Sequence, residues 1–148
     1  MATIEESVDV EVPVRTAYNQ WTQFEEFPNF MEGVEEVRQK EDDRLYWRAS
    51  VGGKTEEWEA RITEQVPDER VAWQATHGLL NSGLVTFQPL GDDRTRVTVR
   101  MEWDDENFVE KVGSALGLDS RRVNEDLERF KEMIEARGRE TGAWRGDI

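Results

Sequence analysis

The sequence predicts an α+β protein in which an antiparallel sheet, apolar on one face, is covered by a long C-terminal helix. Three observations carry this reading. First, the stretch from Asp119 to Arg137 reads DSRRVNEDLERFKEMIEAR, and Val123, Leu127, Phe130 and Ile134 follow one another at the spacing of a single helical stripe. Second, between Val34 and Trp103 apolar and polar residues alternate between turn signals spaced for consecutive hairpins. Third, these two features need each other: a one-sided sheet has to bury its apolar face, and an amphipathic helix has to lie on something. At 148 residues the chain suits one domain, residues 1–137, followed by a polar tail over 138–148.

In chain order, Ile4, Val8, Val10 and Val12 alternate with Ser7, Asp9 and Glu11, the pattern of a half-buried first strand. Pro13 is placed in the first turn of a short helix whose face is Val14, Ala17, Tyr18 and Trp21. Phe24, Phe27, Phe30 and Met31, interrupted by Pro28, read as a second short helix or turn with an aromatic cluster. Turn signals at Asp42-Asp43, Gly52-Gly53, Pro67-Asp68, Ser82-Gly83 and Gly91-Asp92-Asp93 then divide a meander of strands. Phe108, Val109, Val112 and Leu116 suggest a helical lead-in to the final helix, which Asp119 can cap and Gly138 can stop.

The apolar parity of the sheet is rich in aromatic residues. Trp47, Trp58, Trp73 and Trp103 share it with Phe87 and Met101, and Trp21 sits on the first helix. A two-residue turn at Gly52-Gly53 puts Trp47 opposite Trp58. A six-residue loop from Gln65 to Arg70 puts Glu64 opposite Val71, Ala60 opposite Ala75, and Trp58 opposite His77. Large aromatics beside the small Ala49, Ala60 and Ala75 leave space under a curved sheet. Any one of these tryptophans is ordinarily core, but five together, each with an indole N–H that wants a partner, point to a ligand cavity. The ligand-binding candidates are therefore Trp21, Phe30 and Met31 near the short helices. On the sheet they are Trp47, Trp58, Trp73, His77, Phe87, Met101 and Trp103, with Phe130 from the last helix. For proton transfer the groups to try are Tyr18, Glu56, Glu64 and His77, the two glutamates reading as inward by parity or as solvated rim carboxylates.

Composition bounds the function. The net charge of −14 argues against nucleic acid and anionic membranes as partners. With no cysteine and one histidine, a transition-metal site is not expected, and the glycine pattern of a nucleotide loop is missing. No apolar run approaches a membrane span and the N-terminus lacks a signal core, which suits a cytoplasmic protein. The 15 Arg and 4 Lys among many carboxylates fit a saline cytoplasm or, equally, a GC-rich genome.

One further pattern spans nearly the whole chain. PVRTAYNQW from Pro13, FEEFPNFMEGVEEV from Phe24, KTEEWEARITEQVPDERVAWQA from Lys54, SGLVTFQPL from Ser82, TRVTV from Thr95 and DLERFKEMIE from Asp126 resemble the polyketide cyclase/dehydrase branch of the START and Bet v 1 proteins. That branch includes the coenzyme Q-binding START-like proteins. The resemblance implies the helix-grip fold: a curved seven-stranded antiparallel sheet wrapped on the C-terminal helix, with two short helices after the first strand. It implies a deep apolar cavity between sheet and helix. The expected function is binding of a hydrophobic small molecule (lipid, quinone or polyketide-like) with no cofactor, by a monomer or weak homodimer. The alternative is a cyclase or aromatase acting on a poly-keto or aromatic substrate.

Overall fold

A computed structural model describes residues 2–31, 34–51, 54–75, 82–103, 120–139 and 142. Strand β1 (Ala2–Val10) leads into α1 (Val14–Trp21) and a 3-10 helix (Phe24–Asn29). Strands β2 (Val34–Glu41), β3 (Arg44–Val51), β4 (Lys54–Val66), β5 (Arg70–Ala75), β6 (Ser82–Gly91) and β7 (Arg94–Trp103) follow, and the C-terminal helix α2 spans Ser120–Arg137. The sheet is antiparallel, in the order β1-β7-β6-β5-β4-β3-β2. The chain thus starts at one edge, passes beneath the sheet through α1 and the 3-10 helix, and meanders back from the other edge. This is a curled half-barrel closed by α2.

Local chemistry explains most boundaries. Pro13 stands just before α1 and not in its first turn: its φ of −60° and ψ of 154° are extended, and its carbonyl accepts the Ala17 amide at 3.1 Å. A proline without N–H loses nothing there, because that N–H would have no helical partner. At the other end of the chain Gly138 takes φ 71° and its amide reaches the Ile134 carbonyl at 2.8 Å, the left-handed stop that glycine adopts without a Cβ clash. The stripe Val123, Leu127, Phe130 and Ile134 is buried on the sheet. Asp119 and the expected lead-in over 104–118 lie outside the described residues.

The register agrees with the sequence at one hairpin and departs from it at the next. Val51 pairs with Lys54 and Trp47 with Trp58, as the Gly52-Gly53 turn requires. Between β4 and β5, however, the ladder runs on to Val66–Arg70 and leaves only Pro67, Asp68 and Glu69 to turn. The Glu69 amide bonds the Val66 carbonyl at 3.0 Å with Asp68 at φ 64°, the arrangement of a type II turn with proline second and a left-handed residue third. A bulge between Ile62 and Glu64 absorbs the extra residue, so Ala60 still faces Ala75. Glu64 now faces Ala72 and Gln65 faces Val71, which corrects the expected pairing of Glu64 with Val71.

The last helix also departs from a simple two-sided reading. Glu135, which the stripe Val123, Leu127, Phe130 and Ile134 leaves on the other face of the helix, accepts the Glu11 amide at 2.8 Å and the Lys131 ammonium at 2.6 Å. Lys131 in turn donates to the Asp9 carbonyl at 2.9 Å. This clamp fixes the C-terminal half of α2 to the end of β1.

Candidate functional site

The inner face of the sheet has two halves. One lies under α1, the 3-10 helix and the middle of α2. There Trp21 meets Phe27, Phe30 and Phe130 at ring-centroid distances of 5.4, 5.7 and 5.1 Å. Phe30 and Phe130 are 5.2 Å apart, and Tyr18 packs edge-on against Phe87 at 5.4 Å. All of these are buried. The tilted and edge-to-face geometries are those aromatic quadrupoles prefer, so this half is a packed aromatic core. Polar ties hold its rim: Arg129 donates to the Phe30 carbonyl at 3.0 Å and also pairs with Asp126, while Arg137 donates to Gln20 Oε1 at 3.1 Å.

The other half lies across β3–β7. Trp47 is buried and touches the core through Phe27 at 5.6 Å. Its register partner is Trp58, and the next inward positions on β4 and β5 are Ala60 and Ala75, facing each other. Trp73 stands opposite Gly83. Glycine is required there by contact, since a Cβ would overlap Cζ2 and Cε2 of the Trp73 indole and come within 2.9 Å of its Nε1. The indole therefore lies across the β6 backbone. Met101 pairs with Gly83 and with Ile4 and is partly buried; Trp103 ends β7 opposite Ala2. Met31 packs on the core from beyond the 3-10 helix.

Of the proton-transfer candidates, Tyr18 and Glu64 are not brought together. Tyr18 is fully buried in the aromatic half. Glu64, read as inward by parity or as a solvated rim carboxylate, faces outward because of the bulge; it pairs with Arg70 at 2.6 Å. It borders an outer depression of about 360 Å³ that Gln74, Arg100 and Glu102 also line. Glu56 pairs in register with Ala49, and His77 lies outside the described residues, so the expected Trp58–His77 pairing does too. Among the inward polar residues that sequence reading missed are Glu6 and Gln65. Glu6 is in phase with Ile4 and Val8 and opposite Val99, which strict parity would have found. Gln65 is completely buried, and only the bulge turns it in.

Electrostatics concentrate at the β1 end. The Arg96 guanidinium, bonding both carboxylate oxygens of Asp9 at 2.8 and 3.3 Å, holds that carboxyl below its ordinary pKa against a smaller opposing effect of burial. For Glu135 burial pushes upward, but the Lys131 ammonium and the Glu11 amide together outweigh it and the net direction is down. Among the described residues no group of three or more His, Asp or Glu side chains could hold a metal ion. Nor is any described helix long and apolar enough to cross a membrane.

A curled seven-stranded antiparallel sheet gripping a C-terminal helix defines the START-like class of helix-grip proteins. Within it, the chain belongs to the family described as polyketide cyclase / dehydrase and lipid transport, whose family model matches residues 10–132. An uncharacterized 17.2 kDa protein in the melC2-rnhH intergenic region of Streptomyces lincolnensis is 52% identical over 149 residues, covering 100% of this chain and 99% of that protein. Among solved structures, the ZhuI aromatase/cyclase from Streptomyces sp. R1128 superposes with a TM-score of 0.71 at 15% identity, over 97% of this chain and 99% of its own. A START superfamily protein from Mycobacterium smegmatis does so with a TM-score of 0.65 at 15% identity, over 91% and 95%. At such identities the likeness speaks for the fold alone.

Proposed function

We propose that this protein binds an apolar small molecule of the lipid, quinone or polyketide-like class between the β3–β7 half of its inner face and α2. The observation that carries this reading is the placement of Trp47 on the inner face next to the Ala60–Ala75 pair: a large flat wall beside side chains much smaller than itself, with the Trp73 indole laid across Gly83 farther along the sheet. Apolar walls of this shape gain by excluding water onto a flat hydrophobic ligand. Binding is favoured over proton transfer because Tyr18 and Glu64 stand on opposite faces of the sheet and cannot reach one substrate atom.

Native mass spectrometry of the purified protein is expected to show a co-purified hydrophobic molecule, or tryptophan emission is expected to shift on adding quinones or fatty acids. Trp58→Ala should weaken that response while costing less than the roughly 3–5 kcal/mol of emptying a packed aromatic site. A protein that answers no apolar ligand, with Trp58→Ala costing the full amount, would remove the reading.

A further inference from the structure

The two edges of the sheet are finished differently. At one edge α2 takes the place of a neighbouring strand: Lys131 donates to the Asp9 carbonyl at 2.9 Å and Glu135 accepts the Glu11 amide at 2.8 Å. The other edge is β2, paired only with β3. Among the described residues, its one main-chain bond outside that pairing runs from the Val34 amide to the Met31 carbonyl at 3.3 Å. From Glu36 to Gln39 the strand is regular, pairing one to one with Arg48, Trp47, Tyr46 and Leu45 between two bulges. Along its free side such a stretch presents main-chain donors and acceptors to a further strand.

Charges on an edge ordinarily keep other strands away. On β2 their order makes an exception for one strand. Val37 is buried, so Glu36 and Arg38 stand on the outer face, with side chains 34% and 55% exposed. Neighbours hold both in place: Arg48 lies 3.5 Å from Glu36, and the Arg38 guanidinium sits 4.7 Å from the centre of the Tyr46 ring. An antiparallel copy of β2, related by a two-fold axis at Val37, sets Glu36 of each chain opposite Arg38 of the other. With the axis at Arg38, arginine would oppose arginine. A strand without this acid–base order meets unmatched charge.

We infer that β2 is a self-recognition edge, through which two copies of this chain form a weak two-fold dimer with one continuous sheet. The two Glu36–Arg38 contacts select the register, and the main-chain ladder supplies the attraction. Two chains of net charge −14 repel each other, which keeps the association weak. Val37 keeps its side chain in its own core, so the pairing is independent of the binding reading above.

Sedimentation velocity at about 0.15 M salt tests this, because a Debye length of roughly 8 Å screens the long-range repulsion and spares pairs in contact. The wild-type protein should pass from monomer toward dimer as its concentration rises to about 1 mM. Arg38→Glu and Glu36→Arg should each weaken self-association at least about 4-fold, because both cross-strand pairs become like-charged. Mixed together, the two variants should associate with each other, since every pair then joins an acid to a base. Hydrogen exchange in the wild-type stretch Glu36–Gln39 should slow as concentration rises, and this readout decides alone if the variants do not fold. A wild type that stays monomeric, self-association indifferent to both substitutions, folded variants that ignore each other, or edge amides that exchange at one rate throughout each overturn the inference.

Discussion

Beneath α1, Trp21, Phe27, Phe30, Phe87 and Phe130 meet ring against ring, and the C-terminal half of α2 is tied over them by Arg129, Lys131, Glu135 and Arg137. Across β3–β6, Trp47 and Trp73 are just as apolar, but beside their partners Val37, Trp58 and Ile62 stand the small residues Ala60, Ala75 and Gly83. The two halves differ in the size of the neighbour and not in hydrophobicity. A ring beside a ring makes broad apolar contact; a ring beside an alanine makes less, and at Gly83 the Trp73 ring lies on the backbone itself. Counting aromatic residues on a face does not tell how that face packs; the residues paired with them across the strands do. Eight of the eleven residues the sequence nominates for ligand contact, Trp21, Phe30, Met31, Trp47, Trp73, Phe87, Met101 and Phe130, lie in or pack against one hydrophobic core.

Phe130→Ala tests this contrast most strongly. Phe130 is fully buried between Trp21 and Phe30, so truncation should cost about 3–5 kcal/mol in denaturant melts. A loss well under that range would mean the aromatic half is no better filled than the other. Gly83→Ala comes next. The added methyl has to displace the rigid Trp73 indole, at a cost of about 1–3 kcal/mol. It should also change the near-ultraviolet circular dichroism of the tryptophans and the affinity for apolar probes. An unchanged spectrum would show that Trp73 does not lie across β6.

The smallest effect belongs to the clamp on the closed half. Glu135 has its folded pKa held below its ordinary 4.5, so it stabilises the fold above that pH and loses this contribution as pH falls through the lowered value. Glu135→Gln should therefore melt below wild type at neutral pH by less than about 1 kcal/mol, the scale of a solvent-accessible ion pair. The gap should narrow as the pH drops under 4.5. A gap that stays constant through acid would assign the role of Glu135 to packing and not to charge.

The helical stripe of α2, the strand parity of β3 and of β5 to β7, and the Trp47–Trp58 pairing were all determined by the sequence alone. Each depends on a period or on a turn of fixed length, and both are written in neighbouring residues. Three decisions belonged to the tertiary structure. Asp68 enters a left-handed conformation that aspartate rarely advertises; this shortens the β4–β5 turn and forces the bulge that turns Gln65 in and Glu64 out. Trp73 meets Gly83 only because β5 and β6 pair in one particular register across a connection whose length carries no such signal. Glu135 leaves the solvent face of its helix for the Glu11 amide because the angle at which α2 crosses the sheet is set by packing. Periodicity is local and survives in the sequence; register and docking arise from residues far apart in the chain, and only the folded pairs choose among the alternatives.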